Sequence, residues 1–333
     1  MKRRRGANGR GECGHGEGEK RRRGESSEKN HPANERVSDP THPRVPASPP
    51  PRVGSSRVPV SPRPRVDSFL PSKRLGQNFL VDRRVVERIL NALGPQGNET
   101  IIEIGPGKGA LTDLLVERAG RVIAVEFDRN LGPLLDERLA SKDNFKLVQD
   151  DALQTELCAE IRPATRARLV ANLPYNISTA ILQRLIAQRE CLSEMVVMLQ
   201  REVVDRMTAP AGSSERGYLS VLVEAYCEAS RLFEVAPSAF KPVPKIWSSV
   251  VRLTFRQLAD TDEELLWQVV SAGFAQKRKT ILNNLRNAPE ALQQRIKPRG
   301  GASIILCQAD IQPARRAETL TIEEWRHLTR LLN

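Results

Sequence analysis

Hydrophobic positions divide the chain into a patternless stretch and a periodic one. Residues 1–66 contain no Phe, Trp, Tyr, Leu or Ile, so no apolar face can be drawn through them. From Phe69 onward, apolar residues recur at helical and strand spacings. RRVVERILNAL (83–93) carries a helical stripe and ends at Gly94-Pro95. TIIEIG (100–105), RVIAVEFD (121–128), FKLVQDD (145–151), RLVANL (168–173) and EMVVMLQ (194–200) are short apolar runs that suit buried strands. Helical patterns over 110–119, near 131–140 and over 177–188 alternate with them. That alternation predicts an α/β fold with a parallel sheet covered on both faces. A polar loop, PAGSSERG (210–217), follows LQREVVDRMTA (199–209). Late antiparallel strands are expected within SVLVEAYCEASRLFEV (220–235) and SSVVRLTF (248–255). From Asp260 the pattern turns helical, over 262–285, 290–296 and 321–333. The expected organisation is a tail (1–66), an α/β domain (67–258) and a small all-helical domain (259–333), with no internal repeat.

Composition reinforces the first boundary. The patternless stretch holds ten of the 23 prolines and eight of the 21 glycines. It cannot bury enough apolar surface to offset its ordering entropy, so disorder is expected there. It also holds 16 of the 52 Lys and Arg but only 7 of the 40 Asp and Glu, which is +9 of the formal +12. The remaining body is nearly balanced, so a nucleic-acid partner must be argued from local motifs. Five cysteines, Cys13, Cys158, Cys191, Cys227 and Cys307, are scattered without a CxxC pair. Reduced thiols are therefore expected, with neither a disulfide framework nor a zinc or other metal site. No apolar run is long enough to span a bilayer, and the acid-bearing tail is unlike a transit peptide. A cytoplasmic protein with no membrane association is the expectation.

Four motifs carry the candidate chemistry. Glu103-Ile-Gly105-Pro-Gly107-Lys-Gly109 leaves a strand and opens a helix. Its glycines let the backbone approach a ligand closely. Gly105, Gly107 and Ala110 also satisfy the relaxed dinucleotide fingerprint, so the motif alone leaves the nucleotide open. Glu126, 21 positions after Gly105, ends the next strand, where an acid can accept both hydroxyls of a ribose. Asp151 in QDDAL ends the third strand and can accept from an exocyclic adenine amine; Asp150 is the neighbouring alternative, and a plain surface acid pair is a third reading. NLPYN (172–176) ends the following strand on the same sheet edge.

An exocyclic amine of a base is a poor nucleophile because its lone pair is delocalised into the ring. The Asn172 side-chain oxygen and the Leu173 carbonyl can each accept one N–H and draw that lone pair out of conjugation. Pro174 removes a competing donor and stiffens the turn. Tyr175 offers a face on which a flipped base can stack.

Together these motifs resemble a class I S-adenosylmethionine-dependent amino-methyltransferase. LGQNFL (75–80), IEIGPGKGALT (102–112), NLPYNIST (172–179), MLQREVVDR (198–206), SAFKPVPK (238–245) and FAQKRKTILNNL (274–285) are similar to the KsgA-type small-subunit ribosomal RNA adenine dimethyltransferase family. The resemblance runs from about Lys73 to the C-terminus. It implies a Rossmann-like methyltransferase sheet with a small C-terminal helical domain. It implies S-adenosyl-L-methionine as cofactor, held by Asn78, Leu80, Gly105, Gly107, Glu126, Asp151 and Asn172. It places Asn172, Leu173, Pro174 and Tyr175 around the target amine. The implied partner is 16S rRNA in the pre-30S subunit, where two adjacent adenines of a 3′-terminal hairpin are dimethylated late in assembly. A monomer is expected. Trp247 departs from the pattern, because bacterial relatives usually carry an acid there.

For RNA contact, Lys73 and Arg74 beside the site and a basic helix bearing Lys277, Arg278 and Lys279 are expected to meet phosphates. Three rivals share parts of this reading. A macrolide-resistance-type 23S rRNA methyltransferase would match less well at the PPSAF-like segment APSAF (236–240) and at QKRKT (276–280). A transcription-factor relative would need a mitochondrial presequence. A dinucleotide oxidoreductase would lack N-L-P-Y.

Overall fold

The computed structural model describes residues 75–256 and 262–333. The expected tail, Lys73, Arg74 and the boundary at 258/259 lie outside the described residues.

The first element is a short strand, β1 (Phe79–Leu80), followed by α1 (Arg83–Leu93). Asp82 caps α1 by accepting the Arg84 N–H at 2.8 Å, and Gly94 closes it in the left-handed conformation. Then come β2 (Thr100–Ile104), α2 (Thr112–Arg118), β3 (Arg121–Val125), α3 (Gly132–Leu139) and β4 (Phe145–Val148). The chain continues through α4 (Leu157–Glu160), β5 (Ala167–Asn172), α5 (Ser178–Ala187), β6 (Leu192–Gln200), α6 (Arg201–Met207) and α7 (Tyr218–Tyr226). Three strands, β7 (Cys227–Val235), β8 (Phe240–Lys241) and β9 (Ser248–Phe255), complete the α/β part.

Seven strands form one sheet in the order β4-β3-β2-β5-β6-β9-β7, and β1 pairs with β8 apart from it. Strands β2 to β6 run parallel, while β9 is antiparallel to both β6 and β7. One face is buried under α5, α6 and α7, the other under α1 and α2. The expected doubly covered sheet is observed. Strand order reverses at β2, which pairs with β3 on one side and β5 on the other. Beyond the carboxyl ends of β2 and β5 lies the crevice where such sheets bind ligands.

The segment from 262 contains α8 (Glu263–Phe274), α9 (Ile281–Arg286), α10 (Glu290–Ile296), α11 (Ala302–Gln308) and α12 (Ile322–Leu332). They share a core around Trp325, which is fully buried. That core reaches α7 through Val221, while Trp267 of α8 stacks on Tyr226 at 5.4 Å between ring centroids.

Two expectations need correction here. The run 262–285 is two helices, not one: α8 stops at Phe274, and Lys277, Arg278 and Lys279 occupy an exposed turn. Thr280 caps α9 by accepting the Asn283 N–H at 3.3 Å, and Asn284 Nδ2 donates to the carbonyls of Gly273 and Gln276. These local polar groups outweigh an unbroken helical period. Lys277 also donates to the Ser214 carbonyl at 2.6 Å, so it ties the 210–217 loop to the helical part. The second correction concerns the thiols. Cys158 on α4 and Cys191 before β6 are joined in a disulfide, 33 residues apart in sequence. The α5 crossover brings them together, a proximity that sequence spacing does not encode.

Candidate active site

A cavity of about 320 Å³ opens at the switch point. This is within the size range of ligand sites. Gly105, Gly107, Glu126, Asp151, Asn78, Asn172, Leu173, Pro174 and Tyr175 all line it, so the structure brings together every candidate catalytic and cofactor residue but one, while Lys277, Arg278 and Lys279 do not line it. Leu80 does not line it: its side chain lies in the core, and its backbone pairs with Phe240.

The glycine turn forms the floor. Gly105, Gly107 and Gly109 have φ of +67°, +58° and +82°, a conformation that favours glycine. A Cβ on Gly107 would also stand 3.0 Å from the Phe79 ring. That ring belongs to a strap, residues 75–80, laid across the cavity. Gln77 donates to Asp128 at 2.8 Å, and Asn172 Nδ2 donates to the Asn78 carbonyl at 3.1 Å. The conformation of LGQNFL is thus held from two strand ends, β3 and β5.

Glu126 is 6% exposed and bonded through both oxygens: Oε2 accepts the Gly107 N–H at 3.0 Å and Oε1 the Asp128 N–H at 2.8 Å. Burial raises its pKa above the usual carboxylate range despite these bonds. A carboxylate has about four acceptor positions, so two remain for ligand hydroxyls. Asp150 and Asp151 separate clearly. Asp150 spends both oxygens on its own turn, accepting the Asp151 N–H at 2.8 Å and the Thr155 hydroxyl at 3.1 Å. Asp151 engages only Oδ1, with the Leu153 N–H at 2.9 Å. The geometry therefore favours Asp151 as the acceptor for a ligand amine. Both lie beyond the end of β4, which is shorter than the apolar pattern suggested.

The 172–176 turn closes the other side. Asn172 Nδ2 is held by Asn78, and no described residue donates to its Oδ1. None donates to the Leu173 carbonyl either, while the Leu173 N–H is occupied by the Met198 carbonyl at 3.2 Å. Two acceptors without intramolecular donors therefore sit in one turn at the cavity. The Tyr175 hydroxyl bonds the Ser248 hydroxyl at 2.7 Å, which ties the turn to the start of β9.

Three features escaped sequence reasoning. Phe127, read as part of a strand, lies past its end, lines the cavity and is 55% exposed. An apolar residue directly after a strand-end acid is the signal that marks it. Ser248 is fully buried and had no sequence signal. Glu103, within the glycine motif, is buried on β2, and desolvation pushes its pKa up to about 8. Among the described residues no cluster of three or more His, Cys, Asp or Glu could hold a metal ion, and no helix is long and apolar enough to cross a membrane.

A family model described as ribosomal RNA adenine dimethylase matches residues 68–327. Ribosomal RNA small subunit methyltransferase A of Geobacillus thermodenitrificans is 40% identical over 268 residues, covering 78% of this chain and 90% of its own length. The protein of the same description from Geobacter sulfurreducens is 41% identical over 271 residues, covering 79% of this chain and 96% of its own. Among solved structures, a dimethyladenosine transferase from Plasmodium falciparum superposes with a TM-score of 0.65 at 24% identity, covering 75% of this chain and 95% of its own, a likeness of fold. The 23S rRNA methyltransferase ErmE superposes with a TM-score of 0.56 at 26% identity, covering 77% of this chain and 99% of its own.

Proposed function

The chain belongs to the ribosomal RNA adenine dimethylase family, and on that premise we propose that it dimethylates N6 of two adjacent adenosines in the 3′-terminal hairpin of 16S rRNA, with S-adenosylmethionine as methyl donor. The observation that carries the reading is the pair of acceptors at Asn172 Oδ1 and the Leu173 carbonyl, facing a nucleotide-sized cavity and lacking donors among the described residues.

The residues present fit the cofactor. Glu126 would accept the ribose hydroxyls, and Asp151 the adenine amine. Phe127, Ala152 and Leu153 would give apolar contact to the base, and the Gly105–Gly107 turn would admit the chain's backbone close to the ligand. When bound, the cofactor supplies a methyl group on a positively charged sulfur.

The protein's part is alignment. In the first transfer Asn172 Oδ1 and the Leu173 carbonyl accept the two amine hydrogens, and in the second one of them accepts the single N–H that remains. This frees the nitrogen lone pair and points it along one direction, and the nitrogen sheds one proton to solvent in each transfer. These bonds strengthen as the nitrogen becomes tetrahedral, so they lower the barrier more than they strengthen substrate binding. Their fixed placement also removes orientational entropy from the step. Asn172 is held by Asn78, so the strap that covers the cofactor also sets the angle of the amide. The Tyr175 ring retains the flipped adenine, and the Ser248 bond holds that ring in place.

Lys73, Arg74, Lys277, Arg278 and Lys279 are proposed phosphate contacts, with the helical part from 259 meeting the ribosomal particle. Action as a monomer, in the cytoplasm and late in 30S assembly belongs to the same proposal. Incubation with labelled S-adenosylmethionine and under-methylated 30S particles, followed by mapping of the labelled nucleotide, tests it. Label on 23S rRNA, or on no adenine, would overturn it.

A further inference from the structure

Exposed large hydrophobic side chains are not spread evenly over this protein. Of seven among the described residues, Phe127 and Ile177 line the cavity, and Val81 immediately follows the strap. Three more, Val243, Ile246 and Trp247, are 66%, 42% and 44% exposed on the β8–β9 loop. Only Ile304 lies elsewhere, on α11. Single exposed apolar residues are ordinary, whereas a group gathered at one edge marks a contact surface.

The topology puts that loop on the rim of the site. β9 is antiparallel to β6, so its first residue, Ser248, pairs with Gln200 at the carboxyl end of β6. On the same edge, Met198 pairs with Asn172. Trp247 directly precedes Ser248, whose hydroxyl holds Tyr175. The Trp247 carbonyl accepts the Arg201 N–H at 3.0 Å, which fixes the backbone and leaves the indole exposed. At the other end of the loop, Lys241 pairs with Phe79 of the strap. The loop reads Lys241-Pro-Val-Pro-Lys245-Ile-Trp247, with two prolines to stiffen it. Both lysines are exposed, and neither forms an ion pair within the described residues.

We propose that this loop is a stacking platform for single-stranded RNA beside the target adenine, with Trp247 receiving an unpaired base and Lys241 and Lys245 meeting the adjoining phosphates. Cationic side chains interleaved with an exposed indole are the chemistry that single-stranded nucleic acid recognises. A bare apolar partner would leave the two lysines unmatched. An adenine turned out of its stack exposes neighbouring bases that have lost a stacking partner, and Trp247 offers them a replacement face. The inference rests on the proposed function and adds a substrate-positioning subsite to it.

Intrinsic fluorescence reads the platform without turnover. Trp325 is fully buried and Trp267 is packed against Tyr226, which leaves Trp247 as the exposed indole among the described residues. Titration of the full chain with a single-stranded RNA oligonucleotide should quench emission in the wild type, and Trp247→Phe should abolish that component. In turnover with under-methylated 30S particles, Trp247→Ala should raise KM for the particle roughly 5- to 150-fold. Its kcat should stay within about twofold, and Trp247→Phe should recover part of the loss. Replacing Lys241 and Lys245 together by Ser should lower the salt dependence of RNA binding by about one per lysine. An unchanged KM in Trp247→Ala together with no Trp247-dependent quenching would overturn the inference. So would quenching by ribosomal protein extracted from the particle but not by RNA, since the occupant would then be a protein. If the wild type methylates no adenine yet RNA still quenches Trp247, the functional reading fails and the platform stands.

Discussion

Replacing Glu126 by Ala removes, in one step, the acceptor of two main-chain N–H groups and of the ribose hydroxyls. The two effects have different sizes. Burial holds the Glu126 pKa above the carboxylate range even though Gly107 and Asp128 donate to it. In the ligand-free protein, desolvation of the charge therefore exceeds what those bonds return. The variant loses both bonds, about 1–3 kcal/mol for each buried donor left unpaired, but is relieved of a buried charge. Its change in stability should be small. Cofactor binding has no such offset, because hydrogen bonds to a charged acceptor contribute roughly 1.5–3 kcal/mol. Calorimetry with S-adenosylmethionine should show about 10- to 150-fold weaker binding, while the melting temperature moves by only a few degrees. The ionised form is the one that accepts two hydroxyls, so wild-type affinity should decline as pH falls through the raised pKa. Glu126→Gln, with no charge to lose, should show weaker binding without that decline. Unchanged affinity in the Ala variant would remove Glu126 from the site. A collapsed melting temperature with normal affinity would make it a structural residue alone.

Asn172→Ala should lower kcat and kcat/KM together in single-turnover assays and also weaken cofactor binding through the lost bond to Asn78; a normal chemical rate at saturation would contradict the orienting role. Tyr175→Phe keeps the ring but strands the buried Ser248 hydroxyl, so it should cost about 1 kcal/mol of stability with base capture retained, whereas Tyr175→Ala should lose stacking of about 1–3 kcal/mol. Equal damage to base capture by the two variants would refute that division. Glu103, with its pKa raised to about 8, keeps a proton when folded that the unfolded chain releases from about pH 4.5. Its contribution to stability is full at low pH and lost as pH rises toward 8, by up to about 1.4 kcal/mol per pH unit, and Glu103→Gln should flatten the curve; parallel curves would exclude it. In denaturant without reductant, Cys158 and Cys191 should resist alkylation, and closing a 33-residue span should add roughly 3–4 kcal/mol; two free thiols in the mass spectrum would contradict the pairing.

What could be read in advance follows from how local its cause is. The stop at Gly94 and the apolar runs of β2, β3 and β5 are each written within a few residues. The stop falls at Gly94 and each run begins within a residue of where the pattern placed it, although β3 stops at Val125 and leaves Glu126 and Phe127 beyond its end. The break after Phe274 was hidden because Gln276, Thr280 and Asn284 act through polar bonds that leave the apolar period intact. α11 was missed because its seven residues, ASIILCQ, are a near-continuous apolar run after Gly300-Gly301, without the spaced charged and apolar positions that mark the equally short α10. The Cys158–Cys191 bond depends on a crossover between strands, which no spacing rule can express.

The site shows the same division at finer scale. Glu126 and the glycine turn stand at a spacing set by one strand–helix–strand unit, so their meeting was predictable from chain order. The choice of Asp151 over Asp150 was not, because it turns on which carboxylate is consumed by its own turn. Tyr175 is the instructive case. Residue type alone points to the ring, and by that logic the hydroxyl is dispensable. The structure spends the hydroxyl on Ser248, 73 residues away, at the start of the strand that carries Trp247 into view. The base-holding ring is therefore referenced to the β8–β9 loop, and the orienting amide of Asn172 to the strap through Asn78. Both long-range bonds meet on one five-residue turn. A shift of the strap should thus disturb the chemical step, and a shift of the loop should disturb base capture, even when every residue of the turn is intact.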